Sequence, residues 1–243
     1  MISYNAMHED LGIYRIFQKL KYNHDFRKEH PNYFEPDGLL VFIGAQGSGK
    51  TLSAVNYVYN LMENYPSAIL VSNIELKDYP FGSGRVFYFS DASDLTKYNN
   101  GEYGVIFLID EIQLYFNSLQ SKNINIDVMT QISQQRKQRK HIIGTSQVFG
   151  RMAKPLREQF SNVILCKGYF NILQKNSLID RDSLQGEEST GTNITGQVKK
   201  NFWFFRSPKM FKRYDTYAVI ENPNLAVSVD KQEIYERSDN KWM

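Results

Sequence analysis

A chain of 243 residues with 42% hydrophobic and 23% charged side chains is long enough to bury its own core, and too apolar for a disordered, collagen-like or simple coiled-coil protein. Its net charge of +3, from 29 basic and 26 acidic residues, is too small to demand a polyanionic partner by itself. The single cysteine, Cys166, forms no internal disulfide, which favours an intracellular setting.

The opening residues show neither a basic n-region nor an apolar h-region, so no export signal is expected. The apolar runs are far shorter than the ~20 residues that cross a bilayer, and no transmembrane segment is expected either. Residues 1–37 are polar and rich in Tyr, Phe, Lys and His, with Pro31 and Pro36 near their end, and read as a helical lead-in. Short apolar runs then alternate with helical stretches. The runs cover residues 39–43, 68–72, 86–89, 105–109, 142–145 and 163–165. They lack strict alternation, as strands buried on both faces of a parallel sheet do. Residues 51–64 and 126–140 are long enough for crossover helices, so the expected fold is α/β, three-layered, with a mostly parallel central sheet flanked by helices.

A core over residues 38–170 is followed by a C-terminal extension, 171–243. Within it, residues 182–200 read as a mobile loop, and 201–206 and 214–220 as aromatic strands. Asn193-Ile194-Thr195 matches a glycosylation acceptor by chance, since no export is implied. The four histidines show no metal-ligand spacing, and one cysteine supports no structural zinc site.

One motif decides the chemistry. Gly44-Ala45-Gln46-Gly47-Ser48-Gly49-Lys50-Thr51 fits G-x-x-x-x-G-K-[ST] at every fixed position, between a predicted strand and a predicted helix. Glycines let the backbone wrap phosphates and present consecutive N–H groups at a positive helix terminus. Residues 44–51 together with Leu52 are therefore the candidate nucleotide-binding segment. Lys50 supplies charge to the β- and γ-phosphates, and the Thr51 hydroxyl is a candidate Mg²⁺ ligand. The apolar run 105–109 ends in Asp110-Glu111, placing acidic groups at the carboxyl end of a buried strand. Asp110 is the second candidate Mg²⁺ ligand. Glu111 is the candidate base that polarises the attacking water, which favours hydrolysis over transfer to a second substrate.

At the next strand, Ile142-Ile143-Gly144-Thr145-Ser146-Gln147 places an amide at the carboxyl end, after an expected basic helix over 133–141. With the phosphate loop and Asp110-Glu111, this order resembles the HerA/FtsK superfamily of P-loop ATPases. The likeness is to the branch of zonula occludens toxin-like (Zot-like) phage assembly proteins and to viral genome-packaging ATPases. The segments Val71-Ser72-Asn73-Ile74-Glu75-Leu76 and Tyr214-Asp215-Thr216-Tyr217 also look Zot-like. The resemblance implies Gln147 as a γ-phosphate sensor. It also implies Arg136, with Arg139 as runner-up, as a finger reaching a neighbouring subunit's nucleotide; Arg151 and Arg157 rank below them. As cofactors it implies ATP and Mg²⁺. As partners it implies DNA of either strandedness and further copies of the chain in a ring, taken as a hexamer, with a capsid or membrane protein as an additional partner. The activity implied is an ATP-hydrolysing, DNA-translocating motor in genome packaging or virion assembly, in the host cytoplasm, on the virion, or peripherally at a membrane. Two alternatives stand beside it: a membrane-associated extrusion or conjugative-transfer ATPase, and a nucleotide-dependent switch or scaffold that translocates nothing. Phe202-Trp203-Phe204-Phe205-Arg206 reads first as a core strand, and secondly as a surface on which bases stack.

Overall fold

In the computed structural model, which describes residues 21–22, 24–77, 85–117, 126–180, 183 and 196–215, the chain divides after Tyr33 into two compact units. The first contains a helical segment over residues 24–29, on which Phe26 packs against His30 and Tyr33. The second holds an eight-stranded sheet and everything discussed below.

The strands are β1 Leu39–Ile43, β2 Ile69–Ser72, β3 Val86–Tyr88, β4 Val105–Ile109, β5 Lys140–Ser146, β6 Phe160–Tyr169, β7 Leu173–Ile179 and β8 Val198–Phe205. Their order in the sheet is β3-β2-β4-β5-β1-β6-β7-β8. All pairings from β3 to β6 are parallel, and β7 and β8 extend the sheet antiparallel. The helices are α1 Lys50–Asn64, α2 Asp94–Lys97, α3 Ile126–Gln134, α4 Lys154–Arg157 and α5 Pro208–Lys212. This is the expected three-layer α/β architecture.

The apolar strands are buried throughout because both faces are covered, and the period of two shows in which core each residue joins. Leu40 and Phe42 of β1, with Ile106 and Leu108 of β4, pack beneath α1. Leu39, Val41 and Ile43, with Val105, Phe107 and Ile109, face the opposite layer, which includes Val128 and Ile132 of α3. In α1 the apolar residues Leu52, Val55, Val58, Tyr59 and Met62 recur at helical spacing, so one stripe is buried against the sheet. The helix ends at Asn64, before Tyr65-Pro66, where the proline disfavours helical backbone in the residue ahead of it.

Three local expectations are corrected. The basic stretch 133–141 is not a helix: α3 stops at Gln134, residues 135–139 form turns, and β5 begins at Lys140. Arg139 takes a left-handed backbone (φ 53°) that turns the chain, and Lys140 is drawn inward, its Nζ donating to the Leu95 carbonyl and to Gln131 Oε1. Secondly, β7 was not expected, and it carries the sheet across the anticipated core limit at residue 170. Its inward positions hold Gln174 and Asn176 where a core strand usually carries aliphatics. Thirdly, the run at 201–206 is no core strand, because Trp203 and Phe205 of β8 are 53% and 73% exposed. Of the remaining expectations, most of the loop at 182–200, the acceptor at Asn193 and residues 216–220 lie outside the described residues.

His141 of β5 is buried, with Nδ1 donating to the Gly38 carbonyl at 2.6 Å and Nε2 facing the Tyr57 hydroxyl at 3.1 Å. Desolvation holds its pKa below the ordinary 6.5, against the opposing pull of the Gly38 carbonyl and Asp37. Below pH 6.5 the unfolded chain therefore binds a proton that the folded chain resists, so stability falls as pH falls, by up to about 1.4 kcal/mol per unit. Urea midpoints measured between pH 7.5 and 5.5 should drop for the wild type, and drop less for His141→Gln. Equal slopes would show that the ring does not set this dependence.

Candidate functional site

Gly44–Thr51 leaves the carboxyl end of β1 and closes directly into α1. Gly49, at the helix cap, has φ 87°, a left-handed backbone that glycine alone adopts without strain, and a Cβ there would lie 2.3 Å from Gln174 Oε1. The first turn of α1 holds no acidic residue, so its positive end is left for an anion. Lys50 is buried, and its Nζ donates to the Ala45 carbonyl at 3.1 Å, which folds the loop back on itself. Burial lowers the Lys50 pKa, while Glu111 and Asp110 pull it upward.

Opposite the loop, β4 delivers Asp110 and Glu111. Asp110 Oδ1 accepts from Thr51 Oγ1 at 2.9 Å and also from Thr145 Oγ1. Its backbone is clamped by one side chain: Asn73 Oδ1 accepts from the Asp110 N–H at 2.8 Å, and Asn73 Nδ2 donates to the Asp110 carbonyl at 2.9 Å. Desolvation raises the Asp110 pKa, and the hydroxyls of Thr145 and Thr51 oppose that rise. A carboxylate beside a threonine hydroxyl is a hard, all-oxygen donor pair. Thr51 and Asp110 therefore fit Mg²⁺ by their chemistry.

Glu111 takes a left-handed backbone (φ 50°), uncommon for a non-glycine residue, and lines the cavity described below. Its N–H donates to Thr145 Oγ1 at 3.0 Å. Its carboxylate accepts from Gln147 Nε2 at 2.9 Å and from Gln113 Nε2. The sheet order explains this convergence. β5 stands between β1 and β4, so its carboxyl end sets Thr145 and Gln147 between the phosphate loop and the two acids.

Lys50, Thr51, Asn73, Asp110, Glu111 and Gln147 line one cavity of about 700 Å³, together with Tyr88, Phe211, Tyr214 and Arg206. That size suits a nucleotide. The two further segments with family resemblance reach this cavity through Asn73 and Ile74 and through Tyr214 and Asp215, and nearby Leu76 bridges Tyr214 and Lys77 N–H donates to the Arg213 carbonyl at 2.7 Å.

A glycine loop joining β1 to α1, an acidic pair one strand removed on β4, and a polar strand end between them together decide the architecture. The chain has the P-loop NTPase fold. No family model matches the chain, and no curated protein matches it. Among solved structures it is similar to the N-terminal domain of zonular occludens toxin from Neisseria meningitidis, at 16% identity over 73% of this chain and 98% of that one, with a TM-score of 0.49. It is also similar to the genome packaging NTPase B204 from Sulfolobus turreted icosahedral virus 2 (15% identity, 55% and 76% covered, TM-score 0.43) and to the flagellar accessory protein FlaH from Methanocaldococcus jannaschii (16%, 74% and 90%, 0.43). Identities this low, with TM-scores below 0.5, transfer no residue roles to this P-loop NTPase fold.

Of the expected site residues, Lys50, Thr51, Asp110, Glu111 and Gln147 are brought together around the cavity. Arg136 and Arg139 are not. They precede β5 and so stand at the amino end of the parallel strands, about 20 Å from the phosphate loop by strand rise. Arg136 is exposed there and Arg139 half-buried. Arg151, exposed on the 3-10 turn Phe149–Arg151, follows β5 at the loop end. Cys166 is buried, and desolvation pushes its thiol up to about 12, which leaves it inert. No helix among the described residues is long and apolar enough to cross a membrane.

Three residues of the site were not anticipated in the roles they take. Asn73 and Thr145 act on the acids as described, and the only signal in the sequence is a small polar residue at or just past a strand's carboxyl end. Arg206, just past β8, reaches the phosphate loop. Its Nη2 donates to the Ser48 carbonyl at 3.2 Å and to Gln174 Oε1 at 2.7 Å, and its Nε donates to the same Oε1 at 3.0 Å. Gln174 Nε2 in turn donates to the Ser48 carbonyl at 3.1 Å and to Asn176 Oδ1 at 2.9 Å, and Asn176 Oδ1 also accepts from Ser53 Oγ of α1. The polar interior of β7 thus belongs to the site. Gly168 leaves room for this guanidinium, since a Cβ there would lie 2.0 Å from Arg206 Nη2 and displace it.

Proposed function

We propose that this chain is an Mg²⁺-dependent ATPase that moves DNA, working as an oligomeric ring in viral genome packaging or virion assembly. The observation that carries the hydrolytic part is Glu111, held by Gln147 and by the Thr145 hydroxyl at the edge of the cavity that the phosphate loop enters. In this reading the loop N–H groups and Lys50 bind the β- and γ-phosphates, and Thr51 and Asp110 would hold the metal. Bound Mg²⁺ supplies charge neutralisation at the phosphates. Glu111 accepts a proton from a water molecule, whose oxygen bonds to the γ-phosphorus as the bond to the β-bridging oxygen breaks. Gln147, hydrogen-bonded to Glu111, would feel the presence or loss of the γ-phosphate and pass it along β5. A switch that only binds nucleotide has no use for a carboxylate so placed.

The DNA-moving and ring-forming parts rest on the sequence resemblance of Gly44–Thr51, Asp110-Glu111 and Ile142–Gln147. In this reading Arg136, at the far end of the sheet from this chain's own phosphate loop, would reach the nucleotide of a neighbouring copy. Steady-state ATP hydrolysis with and without DNA, recorded with the size of the particle in the same samples, tests the reading. DNA-stimulated turnover in a ring-sized species is the expected result. A monomer whose turnover ignores DNA would overturn the translocation part and leave a nucleotide-dependent switch.

A further inference from the structure

We propose that the solvent face of β6, β7 and β8 is a platform on which the bases of single-stranded nucleic acid stack. The choice of occupant rests on the reading of the chain as a DNA motor; the face itself does not. Strand register puts Lys167, Lys175 and Trp203 in one row across the three strands, and Tyr169, Leu173 and Phe205 in the next. These side chains share the face turned away from α1, since the alternate residues Gln174 and Arg206 point to the phosphate loop. Trp203 and Tyr169 stack on each other, with centroids 5.9 Å apart and planes at 26°. An ammonium lies over each ring: Lys175 Nζ is 5.3 Å from the Trp203 centroid, and Lys167 Nζ is 5.4 Å from that of Tyr169. The apolar surface left open is large. Phe205 is 73% exposed, and Phe170, at the tip of the β6–β7 turn, is 94% exposed.

Charge selects the occupant. Lys167 and Lys175 stand on this face, and neither residues 160–179 nor residues 196–213 hold an Asp or Glu. At the margin, Asp180 is bound by Lys199 at 2.8 Å. The lysines stand among the rings rather than around them, an arrangement that meets alternating bases and phosphates. A second copy adding a strand is disfavoured, because the edge strand β8 carries Lys199 and Lys200, charges that discourage strand addition. Phe170 and Asn171 of the connecting turn both take left-handed conformations (φ 52° and 55°), which present the Phe170 ring to solvent among the described residues. The strand that would hold bases, β8, runs directly into Arg206, which donates to the phosphate loop, so the platform and the nucleotide site are joined through one strand.

The chain has two tryptophans, so in a Trp242→Phe background Trp203 alone reports fluorescence. Titrating that full-length protein with a 20-nucleotide oligo-dT, without nucleotide, should give saturable quenching that weakens with salt. By anisotropy of labelled oligo-dT, Trp203→Ala should bind about tenfold more weakly, and Lys175→Gln should also weaken binding, with basal ATP hydrolysis unchanged in both. Oligo-dT binding unaltered by both substitutions overturns the platform, as does equal binding of duplex without quenching. Emission that shifts with protein concentration and ignores oligo-dT overturns it in favour of a second copy on this face. DNA-stimulated hydrolysis that survives Trp203→Ala with unaltered oligo-dT binding would leave the motor reading standing while this one falls. Quenching by oligo-dT in a protein whose hydrolysis ignores DNA would do the reverse.

Discussion

Glu111→Gln is expected to bind ATP as tightly as the wild type while hydrolysing it about 10²–10⁴-fold more slowly. The substitution keeps volume and the left-handed backbone position, and it leaves Asp110, Thr51 and the phosphate loop untouched. What it removes is the group able to accept a proton. One carboxylate oxygen becomes an amide nitrogen, so of the two contacts from Gln147 and Gln113 only one is kept, a small local loss. Single-turnover hydrolysis beside equilibrium nucleotide binding separates the two effects. Turnover within a few-fold of wild type would remove Glu111 from the mechanism and require another base at the cavity edge. Weakened binding with unchanged single-turnover rate would recast it as a structural support of β4.

The legible part of this site is the part that chemistry ties to fixed spacing along the chain. A loop that wraps phosphates needs glycines at set intervals and a lysine and threonine next to them, and a buried strand ending in acids is apolar up to its last residue. Those signals located Lys50, Thr51, Asp110 and Glu111, and the β1-loop-α1 context came with them. The parallel sheet was legible for a related reason, since strands covered on both faces, such as β1 and β4, have no polar positions to disguise them. β7 was hidden because its inward residues are amides. Gln174 and Asn176 are buried, but their partners lie on the phosphate loop, on α1 and at the end of β8, all distant in sequence. The stretch 133–141 misled in the opposite way. Its charge pattern suits an exposed helix, but Lys140 finds a carbonyl and an amide oxygen inside the fold and His141 is sealed beneath Tyr57, contacts that no local rule foretells.

Removing the guanidinium of Arg206 tests whether β8 holds the phosphate loop in shape. Arg206→Ala deletes the donors to Gln174 Oε1 and to the Ser48 carbonyl, and leaves the buried Gln174 short of a partner. Hydrogen bonds from a charged donor contribute about 1.5–3 kcal/mol each, so loosening the loop by the equivalent of one such bond lowers nucleotide affinity about 10- to 100-fold. Gly168→Ala should act in the same direction with Arg206 still present, because the new methyl would occupy the place of Nη2. Arg206→Lys should recover only part of the loss, since one ammonium cannot reach the Ser48 carbonyl and Gln174 in the forked geometry that a guanidinium allows. The signature of a positioning role is a rise in KM for ATP larger than the fall in kcat, shared by Arg206→Ala and Gly168→Ala. A fall in kcat alone, with KM unchanged, would instead place Arg206 against the phosphoryl group in the transition state. Wild-type nucleotide affinity in both variants, each with an unchanged unfolding midpoint, would show that the loop keeps its shape without β8.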